Sequence, residues 1–186
     1  MDNMIRQKYK IYTSTISNQT MAISFELASF MWKYINKHKC IKILDLGSGY
    51  SSFVFRYYQK SNAPSKCKVV SVDTSMEWLT QTNKFLSNND LNLDHLYTFE
   101  DFKTKRMPVK KYDFILYDLG NMSARSENLE YILSFADTGC PIIIDDVHKS
   151  VYRKKVEETV NKLKKHIVDI KPKTLDAFGR YAYMIK

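Results

Sequence analysis

Two glycines close to a carboxylate are the first residues of this sequence that indicate chemistry. Residues 43–52 read I-L-D-L-G-S-G-Y-S-S, an apolar strand-like run that ends in an acid and then turns through Gly47 and Gly49. Glycine adopts backbone angles closed to other residues and leaves room for a ligand. A helix predicted from about Tyr50 would direct its unpaired N–H groups into the same space. The pattern is typical of a nucleotide-binding turn.

Further acids stand at the ends of the apolar strand-like runs. The run K-C-K-V-V-S-V-D over 66–73 ends in Asp73, about where a ribose-binding acid follows a glycine-rich turn. In an open parallel sheet, the ligand crevice lies beyond the carboxyl ends of the strands. The acids at these ends are Asp45, Asp73, Asp101, Asp118, Asp145 and Asp146. Their recurrence predicts a functional site at this edge of the sheet.

The hydrophobic pattern alternates between the periods of strands and helices. Strand signals fall near 41–46, 67–73, 93–100, 112–118 and 141–146, and helix signals near 21–36, 50–60, 75–87, 123–136 and 149–165. Parallel strands need crossover connections of this length, so the alternation predicts a doubly wound α/β fold with a Rossmann-like sheet. Two closing runs, 166–172 and 178–186, are close enough for a hairpin. They bring the expected sheet to seven strands, mostly parallel with an antiparallel C-terminal hairpin strand.

Length and composition are those of one globular domain. A chain of 186 residues with 44% hydrophobic residues can bury a substantial core. We expect a single domain over 1–186, with a polar lead (1–17), a first helix (18–38) and the Rossmann-like core (41–186). The apolar runs are shorter than the ~20 residues of a membrane span, so we expect no membrane partner. Three cysteines without a metal-type spacing predict buried thiols in a cytoplasmic protein.

The net charge of +9 is unevenly distributed along the chain. Residues 1–40 and 147–186 have an excess of Lys and Arg, whereas 41–146 contain slightly more acids than bases. The basic side chains therefore belong to the flanking helices and the carboxylates to the central sheet. A solvated lysine-rich surface is the simpler interpretation, because we find no motif that reads RNA or DNA. Nucleic acid stays an alternative partner that the sequence does not favour.

Five motifs follow one another in an order that resembles a known enzyme family. They are D-L-G-S-G-Y-S-S (45–52), S-V-D-T-S (71–75), F-E-D-F (99–102), Y-D-F-I-L-Y-D-L-G-N (112–121) and P-I-I-I-D-D-V-H (141–148). In type and order they resemble the class I S-adenosylmethionine-dependent methyltransferases, from about residue 18 to the C-terminus. The nearest members are the catechol-type and sugar O-methyltransferases. The predicted final hairpin agrees with that fold, whose seventh strand runs antiparallel.

The resemblance implies S-adenosylmethionine as the cofactor. Its methionine part would be bordered by the glycine-rich turn, namely Asp45, Gly47, Ser48, Gly49 and Ser51, the last in place of a third glycine. Asp73 would accept from both ribose hydroxyls, with Thr74 beside it, because a carboxylate offers two acceptor oxygens. Asp101 or Phe102 would lie near the adenine. The alternative for Asp73 is a helix cap for 75–87.

Three acids at the far end of the crevice resemble the metal ligands of the same relatives. Asp118 follows strand 4, and Asp145 and Asp146 follow strand 5, as in the catechol-type and sugar enzymes. Mg²⁺ or another divalent cation such as Ca²⁺ would suit this all-oxygen set and would lower the pKa of an acceptor hydroxyl. Two simpler interpretations stay open. Asp118 would accept from the ammonium group of the cofactor, and Asp145 or Asp146 would cap the next helix.

The proton acceptor has two candidates, His148 and Asp118. His148 lies two residues after Asp146 and titrates near neutral pH, although a surface histidine at a helix start is the alternative. The catechol-type relatives place a catalytic lysine after strand 4, where this chain reads L-G-N-M-S, so the base stays open. Arg125 either reaches an acidic acceptor or, as the simpler interpretation, is a solvated helix charge. Residues 17–20 either close over the cofactor or, more simply, cap the first helix.

Together these features predict an S-adenosylmethionine-dependent methyltransferase that acts on the hydroxyl of a small molecule, with a divalent metal as an optional aid. The sequence has no long insertion near the closing hairpin, so a second copy of the chain would supply the acceptor wall in a homodimer. The alternatives are a methyltransferase of RNA or protein and a catalytically idle cofactor-binding module. A dinucleotide enzyme fits less well, because the acids after strands 4 and 5 would have no role there.

Overall fold

The computed structural model describes residues 3–62 and 65–186, and over these ranges the chain forms one seven-stranded sheet between helices. The strands are β1 (Lys42–Leu46), β2 (Lys68–Asp73), β3 (Leu96–Thr98), β4 (Phe114–Tyr117), β5 (Ile142–Ile144), β6 (Ile167–Asp169) and β7 (Tyr183–Ile185). Their order is β3-β2-β1-β4-β5-β7-β6, and β7 runs antiparallel to both of its neighbours while the other pairs are parallel. The predicted Rossmann-like sheet with its antiparallel hairpin strand is confirmed.

Helices connect and cover the strands on both faces. In the described ranges they are α1 (Asn3–Thr15), α2 (Phe25–His38), α3 (Tyr50–Asn62), α4 (Met76–Ser87), α5 (Phe99–Thr104), α6 (Met122–Leu133), α7 (Ser150–Lys162) and α8 (Lys171–Thr174). None of these helices combines the length and the apolar character needed to cross a membrane.

The N-terminal segment differs from the sequence prediction. Most of the polar lead forms helix α1, because Ile5 and Tyr12 lie two turns apart on one face and are buried against the core. The next helix, α2, begins at Phe25 and not at residue 18, since the Ser24 side chain is its N-cap and accepts from the Leu27 N–H. Residues 16–24 therefore form a connection between α1 and α2 and not part of a helix, and this connection lines the candidate site.

Alternate residues of the strands pack into two separate hydrophobic clusters. Ile43 of β1 belongs to the cluster that includes α2 and α3, whereas its neighbour Leu44 belongs to the one that includes α6 and α7. Side chains alternate between the faces of a strand, so this division shows that the sheet is covered on both faces. The central strands are consequently apolar until they reach the edge where the acids begin.

The strand order places a switch point between β1 and β4. From β1 the chain proceeds outward through β2 and β3, and from β4 it proceeds in the opposite direction through β5. The strand ends are level, because the Gly47 N–H donates to the Val72 carbonyl and the Asp118 N–H to the Leu46 carbonyl, at 2.9 and 2.7 Å. In open α/β sheets, ligands bind beyond the carboxyl ends of the strands at such a point.

Candidate active site

A cavity of about 510 Å³ opens at the switch point, beyond the carboxyl ends of β1, β2 and β4. Most of its lining comes from the segments 17–23, 47–51, 73–75 and 118–125, and the rest from Tyr12, Trp78 and two residues after β5, Asp146 and Lys149. The volume lies within the range of about 300–1,000 Å³ that is usual for small-molecule sites. We call it the main cavity.

The two glycines of the turn after β1 allow close packing against neighbouring segments. Gly47 has φ +105°, and a Cβ placed there would lie 2.4 Å from the Asp118 carbonyl oxygen. A Cβ on Gly49 would lie 3.0 Å from the Tyr12 hydroxyl, so this glycine makes room for helix α1. Ser51, at the position of the expected third glycine, lines the cavity and donates to the Gly47 carbonyl at 3.2 Å. Any larger side chain at position 47 would separate the turn from the loop after β4.

Asp73 lies at the edge of the main cavity and is held by neutral donors. Its Oδ2 accepts from the Ser48 N–H at 2.8 Å and from the Ser48 hydroxyl at 3.1 Å, and its Oδ1 accepts from the Ser75 N–H at 2.9 Å. Burial raises its pKa, and these hydrogen bonds act in the opposite direction. The alternative that Asp73 caps α4 is wrong, because the Ser75 hydroxyl accepts from the Trp78 N–H as the N-cap. Thr74 also lines the cavity.

Asp45 does not border the cavity, in contrast to the sequence prediction. It is fully buried beneath the glycine-rich turn, where its Oδ2 accepts from the Ser52 and Ser71 hydroxyls at 2.5 and 2.7 Å. The buried guanidinium of Arg56 donates to the Ser71 hydroxyl at 2.6 Å. The Ser52 hydroxyl also accepts from the Gly49 N–H at 3.3 Å, so Asp45 supports the turn from below.

Asp101 and Phe102 are not brought to the main cavity either. The F-E-D-F segment forms helix α5, whose N-cap is Thr98, and this turns Phe102 into the core against the ring of Phe135 at 5.0 Å between centroids. Asp101 pairs with Lys105 at 3.0 Å and borders a separate cavity of about 270 Å³. The sequence analysis assumed an extended segment here and did not consider the helix cap.

A second cavity of about 180 Å³ adjoins the main cavity on the side of β5, and we call it the side cavity. The two cavities share part of their lining: Thr20, Met21, Ala22, Asp118, Arg125, Asp146 and Lys149. The side cavity adds Asp145, His148 and Arg180. The sequence-predicted acids after β4 and β5 therefore meet between the two cavities.

Arg125 is buried between these acids and is not the solvated charge that the sequence analysis expected. Its Nη2 lies 2.6 Å from Asp118 Oδ1, its Nη1 lies 3.1 Å from Asp146 Oδ2, and 8% of its side chain is exposed. Its Nε donates to the carbonyls of Leu119 and Gly120, both at 3.2 Å. The signal in the sequence is its place one turn after the α6 cap, which directs the side chain back toward the end of β4.

The three acids have different pKa values because their partners differ. Burial raises the pKa of Asp118 to about 6 against the lowering effect of Arg125, and Asp146 adds to the rise. Burial, with the charges of Asp118 and Asp146, raises the pKa of Asp145 well above its usual range. For Asp146, the hydrogen bond from Lys149 and the charge of Arg125 outweigh burial and lower the pKa. Asp146 is therefore the acid of the three that most strongly keeps its charge, and Asp145 is the one that most readily takes up a proton.

The structure does not assemble the predicted metal-ligand set of Asp118, Asp145 and Asp146. Arg125 lies between the first and the third of these acids, and Asp145 Oδ1 accepts from the Asp146 N–H at 2.7 Å. Over the described residues, no group of three or more Asp, Glu, His or Cys side chains is arranged to hold a metal ion. The acids do not cap α7 either, since its N-cap is Lys149 and no side chain completes the cap.

His148 lies in the side cavity beside Asp146. Its Nδ1 is 3.5 Å from Asp146 Oδ1 and is buried without a hydrogen-bond partner among the described residues. Burial lowers its pKa, against the raising effect of Asp146, so the imidazole is neutral at pH 7. A neutral imidazole at this place has the protonation state that a general base needs.

The connection between α1 and α2 lies along both cavities and is held by Arg180. The guanidinium donates to the carbonyls of Gln19, Thr20 and Ala22 at 2.7 to 3.0 Å. Its Nε is paired with Asp176 Oδ2 at 2.7 Å, and 4% of the Asp176 side chain is exposed. Of residues 17–20, Ser17 and Thr20 line the main cavity, and none of them caps α2, because Ser24 does. Arg180 and two of the three aromatic lining residues, Tyr12 and Trp78, lie outside the motifs that indicated the site.

The fold and the site together define an enzyme class. A sheet in this order, a glycine turn after β1, an acid at the end of β2 and acids after β4 and β5 form a class I methyltransferase arrangement. A family model described as a methyltransferase domain matches residues 37–178, and the chain belongs to this family. The sequence-based recognition of a class I S-adenosylmethionine-dependent methyltransferase is thereby confirmed.

Solved structures of similar fold cover nearly the whole chain. An O-methyltransferase from Bacillus cereus in complex with SAH has a TM-score of 0.74 at 15% identity, covering 100% of this chain and 90% of that one. The O-methyltransferase TomG from Streptomyces achromogenes, in complex with SAM, has a TM-score of 0.72 at 13% identity, covering 100% and 89%. The tRNA (m1A58) methyltransferase TrmI from Aquifex aeolicus has a TM-score of 0.60 at 14% identity, covering 89% and 68%. The search of curated proteins finds no match.

Proposed function

We propose that the main cavity binds S-adenosylmethionine and that its methyl group is transferred to the hydroxyl of a small molecule in the side cavity. One observation supports this most directly, namely that the two cavities adjoin. The main cavity contains Asp73, the acid at the end of β2 that suits a ribose, and the side cavity contains the neutral imidazole of His148. The solved O-methyltransferases of the same fold, crystallised with SAH or SAM, support the same cofactor class.

The residues of the main cavity fit this cofactor. Asp73 Oδ1 accepts from the Ser75 N–H and keeps a lone pair for one ribose hydroxyl, whereas the N–H and the hydroxyl of Ser48 occupy Oδ2. The second ribose hydroxyl would replace the Ser48 hydroxyl, whose bond of 3.1 Å is the longest of the three. Trp78 offers an aromatic surface to the adenine. Asp118 has its Oδ2 free of Arg125 and can accept from an ammonium group. When bound, the cofactor supplies an electrophilic methyl carbon on a positively charged sulfur.

The residues of the side cavity serve the acceptor. A hydroxyl held there can attack the methyl carbon in line, and the C–S electron pair leaves with the sulfur. With Nδ1 facing Asp146, the tautomer that is protonated at Nδ1 leaves His148 Nε2 to take the hydroxyl proton. Asp146 stabilises the imidazolium that forms. His148 and Asp146 thus supply this proton transfer themselves.

The dimensions of the side cavity favour a small, polar acceptor. It measures about 180 Å³, and its walls include Asp145, His148 and Arg180. Methylation of RNA or protein is the less supported alternative, because a nucleotide or a peptide would need more room at this point.

A second copy of the chain would complete the wall near Met21, which is 63% exposed and lines both cavities. Light scattering measures this dimer.

The remaining sequence predictions belong to the same proposal. The chain acts as one domain over 1–186, in which α1 contributes Tyr12 to the cavity and the C-terminal segment contributes Arg180. Cys40, Cys67 and Cys140 are free and buried, which suits the reducing cytoplasm.

Calorimetry and turnover together test the proposed function. We expect the protein to bind S-adenosylmethionine and its demethylated product, and to release that product when incubated with a panel of small phenols, sugars and hydroxy acids. The Asp73→Ala variant should lose the binding. Binding without product formation on any hydroxyl, or product formation only with RNA, would overturn the proposed acceptor class, and an absence of binding would overturn the cofactor.

A further inference from the structure

We infer that Arg125 is a positioning residue that occupies the cation position of this site, so that the chain holds its paired acids with a guanidinium and transfers methyl without a divalent metal. The first part rests on the geometry of the described side chains alone. The second part rests on the proposed function. The two parts are tested by separate measurements.

The guanidinium of Arg125 lies where an ion joining the acids after β4 and β5 would lie. It bridges Asp118 and Asp146 at 2.6 and 3.1 Å through two different nitrogens. The carbonyls of Leu119 and Gly120 accept from its Nε and Nη2, at 3.1 to 3.2 Å. Because the side chain is 8% exposed and each of its three nitrogens has an acceptor, the guanidinium has one arrangement in this site.

A second cation completes the neutralisation of these acids. Lys149 Nζ lies 2.9 Å from the same Asp146 Oδ2 that accepts from Arg125. Two cations therefore face two acids, and a divalent ion between them would be repelled by both. The third acid, Asp145, directs its Oδ1 to the Asp146 N–H and not to a common centre.

The contacts of Arg125 also fix the wall between the two cavities. Its bonds to the Leu119 and Gly120 carbonyls hold the loop after β4. Its ion pair with Asp118 fixes the orientation of that carboxylate, which lines both cavities. A bound metal would attract the acceptor oxygen itself, whereas this guanidinium directs its nitrogens to the two acids and to the carbonyls of the loop. The acceptor is therefore aligned by the walls of the side cavity, and Arg125 acts through Asp118 and Asp146.

Thermal unfolding with and without divalent ions tests the inference in the full chain. The variants are Arg125→Ala, which uncovers the acids, Arg125→Lys, which keeps the charge, and the control Arg106→Ala, which removes an exposed arginine. Each protein is measured with millimolar Mg²⁺ or Ca²⁺ and with EDTA. The Tm of the wild type, of Arg125→Lys and of Arg106→Ala should each be the same in both conditions. Arg125→Ala should gain a metal-dependent rise of about 2–4 °C, because the freed carboxylates now bind the ion.

Several outcomes would overturn the inference. A rise in the Tm of the wild type with Mg²⁺ would show that Arg125 does not exclude the ion, and turnover abolished by EDTA and restored by Mg²⁺ would contradict metal-free transfer. A folded Arg125→Ala protein without a metal-dependent rise would also contradict it. If Arg125→Ala does not fold, Arg125→Gln replaces it, and the wild-type measurement decides on its own. S-adenosylmethionine added in parallel reports on the proposed function separately, since its effect on Tm does not depend on the metal.

Discussion

Acids stand on both sides of the switch point, but the two sides hold them in different ways. On the β2 side, Asp73 and the buried Asp45 accept from hydroxyls and backbone N–H groups, mainly those of Ser48, Ser52 and Ser71. On the β5 side, charged partners hold Asp118 and Asp146. The same residue type is thus fixed by neutral donors in one place and by cations in the other.

This difference teaches what each side can bind. A carboxylate held by neutral donors has no cation paired with it, so it can serve a polar ligand such as a ribose. A carboxylate that is paired with Arg125 or Lys149 has part of its charge balanced and is held rigidly, so what it offers a ligand depends on its protonation state, as for Asp118 and the ammonium group of the cofactor. The four predictions that follow test this contrast, from the largest expected effect to the smallest.

Replacing His148 by Gln tests the chemical role of the β5 side. We expect kcat to fall by about 10²–10⁴-fold, the usual contribution of a general base, while the Kd for S-adenosylmethionine stays the same. Single-turnover kinetics and calorimetry measure the two quantities. The exposed His38 of α2, changed to Gln, is the matched control. An unchanged kcat in His148→Gln would assign the proton to another acceptor.

Replacing Asp73 by Asn tests the binding role of the β2 side. The amide loses the charge and one acceptor oxygen, so one hydrogen bond to the ribose is lost and any other is no longer made to a charged group, and the Kd for S-adenosylmethionine should rise by about 100-fold. Calorimetry measures this change, with the exposed Asp90→Asn as the control. A rise that is equal in both variants would mean that position 73 does not contact the cofactor.

The titration of Asp118 predicts a pH dependence of cofactor binding that arises on the β5 side. Its pKa is raised to about 6 by burial, so below that pH the carboxyl is protonated and cannot pair with the cationic end of the cofactor. Affinity should therefore increase by about tenfold from pH 5 to pH 7 and level off above, by proton linkage. In Asp118→Asn the change of the calorimetric Kd over this range should be much smaller. A wild-type affinity that falls with rising pH would contradict the assignment.

Removing the contacts of Arg180 should have the smallest effect. In Arg180→Ala, the α1–α2 connection loses its bonds to Gln19, Thr20 and Ala22, so its backbone amides should exchange faster and the Kd for the cofactor should rise by a few-fold. Hydrogen exchange with mass spectrometry measures residues 17–23. The variant Arg106→Ala should leave exchange there unchanged. Equal exchange in Arg180→Ala and the wild type would show that the connection is held by other contacts.

The sequence predicted the parts of the molecule that depend on local pattern. The run ending at Asp45, the turn through Gly47 and the helix after it follow from hydrophobic period and glycine chemistry, and so does the place of Asp73 at the end of β2. The mostly parallel sheet with its antiparallel hairpin strand followed from the lengths of the connections between the strands. Asp45, the glycine turn and Asp73 lie within about thirty residues of each other, so a local motif encodes them.

The errors concern contacts that no local pattern encodes. Phe102 turns inward because Thr98 caps a short helix and Phe135, far along the chain, receives the ring. Arg125 is buried because acids from two strands converge on it. A basic residue at a helix start has the same local pattern whether it is solvated or buried. Tyr12 likewise contacts the glycine turn from a helix that the sequence analysis took for a polar lead.

The bonds of Arg180 join segments that are synthesised far apart in time. Its nearest carbonyl partners lie 158 to 161 residues earlier in the chain. Until translation has passed position 180, the nascent polypeptide lacks this anchor for residues 19–22. The segment should thus become fixed over the cavities as one of the last steps of folding.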